Sequence, residues 1–211
     1  LGDLGTKGGL MTDADAGGSL TDVDGSGGVI TGNIIDLTTV TPGTYHFDYT
    51  VTGTSPCPND VATITLVVSP VPNAGNDVTT QACSNDTAFD LFAVITGSPT
   101  TGGTWTDVNA SGGTITGNVI DLTGVIPGVY NFTYLVAGTA PCVDDASNVQ
   151  VTVVAPPDAG IDGSASVCNS ETAFDLFGEL GGTPGATGTW ADLDGSGAVI
   201  TGNLIDLTGV V

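Results

Sequence analysis

The ten residues VITGNIIDLT at 29–38 return almost unchanged as TITGNVIDLT at 114–123 and as VITGNLIDLT at 199–208. The three stretches begin at positions 29, 114 and 199, so the same 85-residue interval separates each from the next. In each stretch ITGN is predicted to form a tight turn, and the apolar residues after it the following strand. An interval of this size indicates a tandem array whose unit is a whole small domain.

The same interval relates features well outside this stretch. TAFDLF begins at Thr87 and again at Thr172, while Cys57 matches Cys142 and Cys83 matches Cys168. We therefore divide the chain into three copies of one repeat. The first, 1–72, lacks its N-terminal strands; the second, 73–157, is complete; the third, 158–211, lacks its C-terminal strands.

Alternation of apolar and polar residues predicts strands. Tyr45, Phe47 and Tyr49 would share one face of a strand, with His46 and Asp48 on the other. Glycine-rich and proline-containing turn signals separate such segments every eight to twelve residues, which predicts about seven short antiparallel strands per copy. The fold class is all-β, with tandem immunoglobulin-like β-sandwich domains in a linear array. The predicted core anchors are Trp105 and Trp190.

The composition excludes several classes of function. The chain carries 23 acidic residues against one Lys or Arg, a formal net charge of −22. Such a charge repels nucleic acid and anionic lipid headgroups, and no segment reaches the ~18 apolar residues that a membrane span needs. General bases and phosphate-binding cations are almost absent, so we expect no enzymatic activity. The single histidine, His46, is interpreted as a surface residue.

Two aspartate-rich stretches resemble the front half of a calcium loop. DVDGSG places Asp22 and Asp24 at alternate positions, and DLDGSG does the same with Asp192 and Asp194. Alternating oxygen ligands could bind a hard cation, but the bidentate glutamate that normally completes such a loop is missing. A glycine-rich turn between strands is the other interpretation. Calcium is therefore the only cofactor that we consider.

The four cysteines, Cys57, Cys83, Cys142 and Cys168, are candidates for disulfide bonds in an oxidising compartment. A bond from Cys83 to Cys142 would close a loop within one copy and contribute roughly 4 kcal/mol. Bonds from Cys57 to Cys83 and from Cys142 to Cys168 would join neighbouring copies instead. In a seven-strand sandwich, however, the turns near Cys83 and Cys142 lie at opposite ends. A bond could therefore also join the tail of one domain to the head of the next.

The order of motifs along one copy resembles that of repeats in large surface proteins of Bacteroidota. These motifs are an early cysteine, AFDLF, GTW and a GxYxFxYxVxGTxPC stretch that ends in the second cysteine. The Bacteroidota repeats are immunoglobulin-like or PKD-like modules of adhesins secreted by the type 9 system, a group that includes the giant gliding-motility adhesin of flavobacteria. The resemblance covers nearly the whole chain, although Leu20 replaces the tryptophan in the first copy. It implies a secreted, cell-surface, filamentous protein with many repeats.

Two functions follow from these observations. The first is the structural stalk of an extracellular adhesin filament, serving surface attachment or gliding motility, in which the partners of each repeat are its neighbours in the same chain. The second is a module that binds carbohydrate or another surface protein through its loops. The near-identity of the copies favours the stalk, because selection for a binding pocket would vary the loops.

Overall fold

The structure is a computed structural model that describes residues 17–210. The start of the predicted first copy, 1–16, and residue 211 lie outside the described residues. Across the described range the chain is all-β, with no α-helix and a single turn of 3-10 helix at Phe177–Glu179. The strands are β1 Ser19–Asp22, β2 Val29–Thr31, β3 Ile34–Asp36, β4 Gly43–Val51, β5 Asp60–Val68, β6 Val78–Cys83, β7 Phe89–Asp90, β8 Thr104–Asp107, β9 Thr114–Thr116, β10 Val119–Asp121, β11 Gly128–Val136, β12 Asp145–Val154, β13 Phe174–Asp175, β14 Val199–Thr201 and β15 Leu204–Asp206.

The opening decapeptide forms the predicted turn and strand in all three copies. β2 pairs with β3, β9 with β10, and β14 with β15, each across a two-residue Gly-Asn turn. The turn glycine has a φ of +61° at Gly32, +61° at Gly117 and +60° at Gly202. A left-handed glycine at the first central position is typical of the type II′ turn, whose twist matches that of the flanking strands.

The second copy contains the seven strands that the sequence predicted, β6 to β12, arranged in two sheets. One sheet has the order β6-β12-β11-β8, and the other has the order β7-β10-β9. Many of these strands recur in the other copies, but the stretches of the third copy equivalent to β6 and β8, 163–168 and 189–192, do not form strands. β1 to β5 correspond to β8 to β12, and β13 to β15 correspond to β7, β9 and β10, at the 85-residue interval.

One pairing differs from the antiparallel sheet that was predicted. The first strand of the second copy, β6, lies parallel to the last, β12, with Val78 opposite Val149 and Cys83 opposite Val154. The two strands therefore run from the same end of the sheet. We call the end where β12 begins the leading end and the end at Val154 the trailing end. The chain enters this copy at the leading end and leaves it at the trailing end.

The apolar faces of both sheets share one buried core. The long strands alternate as predicted: Phe132 and Tyr134 of β11 are buried, and Leu135 on the opposite face is exposed. The other large, fully buried side chains of this core come from both sheets and their loops: Leu91, Ile120, Leu122, Val149, Val151 and Val153. Every buried member of this cluster lies between Ala74 and Val153, so this core is built from the residues of the second copy alone.

The last strands of the first and second copies, β5 and β12, differ in how much of their surface is exposed. β12 alternates between buried and partly exposed residues, whereas β5 is largely exposed over Asp60–Thr63. β12 is covered along its outer edge by β6, and β5 pairs only with β4 among the described residues. Within residues 17–210 the structure has no helix long and apolar enough to cross a lipid bilayer.

Candidate functional site

The aspartates proposed for calcium form hydrogen-bonded turns. In the first copy Oδ2 of Asp22 accepts hydrogen bonds from the backbone N–H of Ser26 at 2.6 Å and from its hydroxyl at 2.7 Å. In turn, the hydroxyl oxygen of Ser26 accepts the N–H of Gly28 at 3.2 Å. The third copy repeats this with Asp192, whose Oδ2 accepts the Ser196 hydroxyl at 2.9 Å. Each carboxylate thus satisfies donors of its own loop.

The middle copy has the same turn although its sequence departs from the calcium-like pattern. Oδ2 of Asp107 accepts both the N–H and the hydroxyl of Ser111 at 2.7 Å. The Ser111 side chain is 8% exposed and Ser26 is 9% exposed, so this serine fills the interior of the loop. The common element is therefore an aspartate and a serine four residues later, and the structure contains the glycine-rich turn of the second interpretation.

Hydrogen bonding perturbs these carboxylates. The Ser26 hydroxyl, with backbone N–H groups of the same loop, lowers the pKa of Asp22, and the Ser196 hydroxyl lowers the pKa of Asp192. Among residues 17–210, no set of three or more His, Cys, Asp or Glu side chains lies together in a way that could hold a metal. Calcium binding at Asp22, Asp24, Asp192 and Asp194 therefore gains no ligand set from the structure and stays a prediction.

The second aspartate of the first loop contacts the histidine. Oδ2 of Asp24 accepts the backbone N–H of His46 at 2.7 Å and lies 2.8 Å from its Nδ1. In the second copy Oδ1 of Asn109 accepts the N–H of Asn131 at 2.7 Å and its amide Nδ2 at 3.1 Å. His46 is 46% exposed. In both copies the side chain at this loop position binds the neighbouring long strand, β4 or β11. Asn109 and Asn131 make this connection in the second copy without a charged group, so the role is structural.

Trp105 packs against the core of the second copy, and both Trp105 and Trp190 are only half-buried. Trp105 lies opposite Tyr134 on the neighbouring strand, with ring centroids 4.9 Å apart. Its indole N–H donates to Oδ1 of Asn118 at 3.2 Å, and Trp190 donates to Asn203 at the same distance. The fully buried aromatic residues of the second copy are Phe132 and Tyr134. Trp105 is half-buried and packs against this core from its edge.

A cavity of about 220 Å³ in the third copy is lined by Phe177, Leu180, Pro184, Trp190 and neighbouring residues. The corresponding space in the second copy contains the Tyr134 ring, which packs edge-on against Phe92 at 5.4 Å. Phe92 and Trp105 match Phe177 and Trp190 at the 85-residue interval. The cavity thus corresponds to the space that the Tyr134 ring fills in the second copy. It does not indicate a ligand site.

All four cysteines are free thiols in this structure, so the predicted disulfides remain untested. The topology does not favour a bond within one copy. Cys83 lies at the trailing end beside Val154, while Cys142 lies in the loop before β12, at the leading end. The ten residues of β12 between the two ends span about 30 Å, whereas the Cα atoms of a disulfide lie within about 7 Å. A bond from Cys83 to Cys142 does not fit these positions, and the pairing of the cysteines stays a prediction.

The bonds from Cys57 to Cys83 and from Cys142 to Cys168 also stay predictions, and the positions of these cysteines along the copies do not favour them. Cys57 occupies the leading-end position of the first copy, and Cys83 the trailing end of the second. The lengths of two copies in line lie between those positions, and Cys142 and Cys168 are related in the same way.

Several structural residues escaped the sequence analysis. The Tyr134 hydroxyl accepts the N–H of Gly103 and donates to the carbonyl of Thr100, both at 2.8 Å. The first copy repeats the first bond, from Gly18 N–H to the hydroxyl of Tyr49 at 2.9 Å. The alternation of apolar and polar residues predicted the inward faces of these strands. It could not predict the partners of the tyrosine hydroxyls, because those partners lie more than 30 residues away along the chain. Recurrence at the repeat interval was the only available indication.

Searches with protein-family models and with curated protein sequences find no match to this chain.

Proposed function

We propose that this chain is part of the stalk of an extracellular, filamentous cell-surface adhesin, built from immunoglobulin-like sandwiches in series. Its role would be to carry a distant adhesive part away from the cell, in surface attachment or gliding motility. The resemblance to adhesins secreted by the type 9 system motivates the cell-surface location. Such a role requires no catalytic group, in keeping with a chain that has one Lys or Arg and one His.

The topology of the second copy supports the immunoglobulin-like part of the proposal. Seven strands form two sheets, and the first strand lies parallel to the last at the edge of the larger one. Two sheets of three and four strands around one core are the architecture of that class. The aromatic part of the core includes the fully buried Phe132 and Tyr134 and the half-buried Trp105 opposite Tyr134.

The observation that carries the proposal is the direction of the chain through a copy. Ala74 is bound to the start of β12 at the leading end, through the Asp145 carboxylate at 2.7 Å and the Ser147 hydroxyl at 2.8 Å. The chain leaves β12 at the trailing end, about 30 Å away. Copies that enter at one end and leave at the other follow one another in line, each adding on the order of 35–45 Å.

The binding-module alternative has less support. The exposed large hydrophobic residues among those described are aliphatic, and both tryptophans are partly covered with their N–H groups bound to asparagine. No exposed flat aromatic surface of the kind that stacks on sugars is present in residues 17–210. Binding to a glycan array that is lost on Trp105→Ala would favour this alternative over the stalk.

Small-angle X-ray scattering of the chain tests the stalk. A rod about 100 Å long, two and a half copies in line, has a radius of gyration of about 30 Å. A single compact domain of 211 residues would have about 17 Å. We expect the larger value in ~0.15 M salt, where charge repulsion is largely screened. A radius near the value of the compact domain would reject the stalk.

A further inference from the structure

The two cysteines of the second copy mark its two ends. Cys83 is the last residue of β6 and lies opposite Val154, the last residue of β12. Cys142 lies in the loop 137–144 between β11 and β12, which we call the cysteine loop. Gly138 N–H donates to Asp144 Oδ1 at 2.8 Å, which closes this loop at the leading end. The first copy has the same closure from Gly53 to Asn59, around Cys57.

The cysteine loop contacts the preceding copy. The Sγ of Cys142 lies 3.8 Å from the backbone carbonyl oxygen of Ser69. Ser69 directly follows β5, the last strand of the first copy. The Cys142 thiol is therefore located at the junction between two copies, against the trailing end of the one before it.

The repeat interval identifies what else lies at that junction. Ser69 corresponds to Val154, one repeat interval later. In the complete second copy Val154 lies opposite Cys83, and its carbonyl accepts the N–H of Ser84 at 2.9 Å. The carbonyl of Ser69, which Cys142 contacts, is thus equivalent to the carbonyl of Val154. The carbonyl of Val154 is bonded to Ser84, the residue directly after Cys83. A first-strand cysteine and the cysteine loop of the following copy converge on the same backbone group.

We propose that repeats of this kind are crosslinked by a disulfide from the first-strand cysteine of one copy to the loop cysteine of the next. For Cys83 the partner position is 227, which is one repeat interval after Cys142 and beyond Val211. Cys142 would in the same way bond the first-strand cysteine of the copy before it. No two of the four cysteines in this chain are partners of each other, in agreement with their free state.

The crosslink is an ordinary thiol–disulfide exchange. Two thiols lose two protons and two electrons to a disulfide oxidant such as oxidised glutathione, which leaves as two molecules of reduced glutathione. Each junction would then be held by the backbone linker and by one covalent bond on the cysteine loop. A second attachment point restricts bending at the junction. The inference rests on the proposed stalk only for the head-to-tail order of the copies.

A chain extended at its C-terminus tests the pairing. Residues 127–157, which contain β11, the cysteine loop and β12, are appended after Val211, so that a loop cysteine falls at position 227 and the third copy is completed. After oxidation with a glutathione buffer, non-reducing peptide mapping by mass spectrometry should find Cys83 bonded to the appended cysteine. Cys57, Cys142 and Cys168 should remain free of intrachain bonds. Cys83→Ser should abolish the crosslink, and Cys142→Ser should leave it intact.

Two results would overturn the pairing. One is a bond from the appended cysteine to any residue other than Cys83, and the other is free Cys83 in an extended chain whose circular dichroism is that of a folded β protein. The unmodified chain gives a second readout that does not depend on the extension. It should contain no intrachain disulfide under the same oxidant, and a Cys83–Cys142 bond there would also overturn the proposal. Small-angle scattering distinguishes failure of the crosslink from failure of the stalk. If the chain has the radius of gyration of a rod but Cys83 is free, the stalk proposal stands and the crosslink proposal is rejected.

Discussion

At the scale of single residues, this protein uses carboxylates as hydrogen-bond acceptors where most proteins use them in ion pairs. With 23 acidic residues and one Lys or Arg, cationic partners are almost unavailable. Asp36, Asp121 and Asp206 each accept the N–H of the threonine two residues later, at 2.8 to 2.9 Å. Such turns stabilise the loop backbone and the ionised form of the carboxylate.

These bonds make loop stability dependent on pH. The Thr123 hydroxyl, with its backbone N–H, lowers the pKa of Asp121 in the folded chain. A group whose folded pKa is lowered stabilises the fold above its unfolded pKa, and this stabilisation is lost as the pH falls through the folded value. We expect the melting-temperature difference between wild type and Asp121→Asn to shrink between pH 7 and pH 3. Thermal unfolding followed by circular dichroism measures it.

The control for this experiment is Asp162→Asn, which removes the same charge from an exposed carboxylate that accepts no hydrogen bond among the described residues. It accounts for the general relief of repulsion as the chain is neutralised. If the two variants show the same pH dependence, the turn bond does not contribute.

At the scale of elements, loops and strands are joined by side chains that reach across the copy. The Tyr134 hydroxyl on β11 bonds two backbone groups in the segment before β8. The Ser147 hydroxyl and Asp145 carboxylate on β12 bond both backbone groups of Ala74. Among the described residues no buried side-chain polar atom lacks a hydrogen-bond partner. These long-range bonds define where the short strands begin.

Removal of the Tyr134 hydroxyl should destabilise the second copy. Tyr134→Phe keeps the ring contacts with Phe92 and Trp105 but leaves the N–H of Gly103 without its partner inside the fold. We expect a loss of about 1–3 kcal/mol in the free energy of unfolding, measured by urea titration with tryptophan fluorescence. Tyr130→Phe removes an exposed hydroxyl bond to Ile126 and should cost clearly less. Equal costs would contradict a specific role for the buried hydroxyl.

The Gly-Asn turn between β9 and β10 can be tested separately by substitution of its glycine. Gly117 has a φ of +61°, and a Cβ there would meet no other atom, so only backbone strain opposes a side chain. Gly117→Ala should cost about 1–2 kcal/mol in the free energy of unfolding, because L side chains rarely adopt a positive φ. Gly188→Ala is the control, since Gly188 has no positive φ and room for a methyl group. A neutral Gly117→Ala would contradict the assigned turn.

At the scale of the whole molecule, the net charge of −22 opposes the compact state through self-repulsion. Aspartates are spread over all three copies, and a single Lys or Arg in the whole chain cannot offset them. A chain of this kind suits a salty extracellular medium, where mobile ions screen the repulsion.

We therefore expect the melting temperature to rise as NaCl increases from about 0.01 M to about 0.5 M, because the screening length falls from about 30 Å to a few ångströms. At matched ionic strength CaCl2 and MgCl2 should act equally, since the turn carboxylates already accept backbone and hydroxyl hydrogen bonds. A larger effect of calcium that is lost in Asp192→Asn would instead support the calcium site. Scanning calorimetry provides both comparisons.

Sequence alone determined whatever depends on neighbours along the chain: the repeat interval, the strand alternation around Phe132 and Tyr134, and the Gly-Asn hairpin at Gly117. Side-chain period and glycine conformation are local properties, so they appear directly in the order of residues. The calcium-like loops leave both interpretations open in the sequence, because an aspartate followed by a serine is suited to a turn as well as to a cation.

Only the tertiary structure decided which distant groups meet. β6 lies parallel to β12, so Cys83 and Cys142 are at opposite ends of the copy, and the Cys142 thiol lies against Ser69 of the copy before it. Strand order and register depend on how two sheets bury a shared core, a property of the whole repeat that no short stretch carries. The sequence had left open a bond from the tail of one domain to the head of the next, and the contact of Cys142 with Ser69 is the observation that favours it.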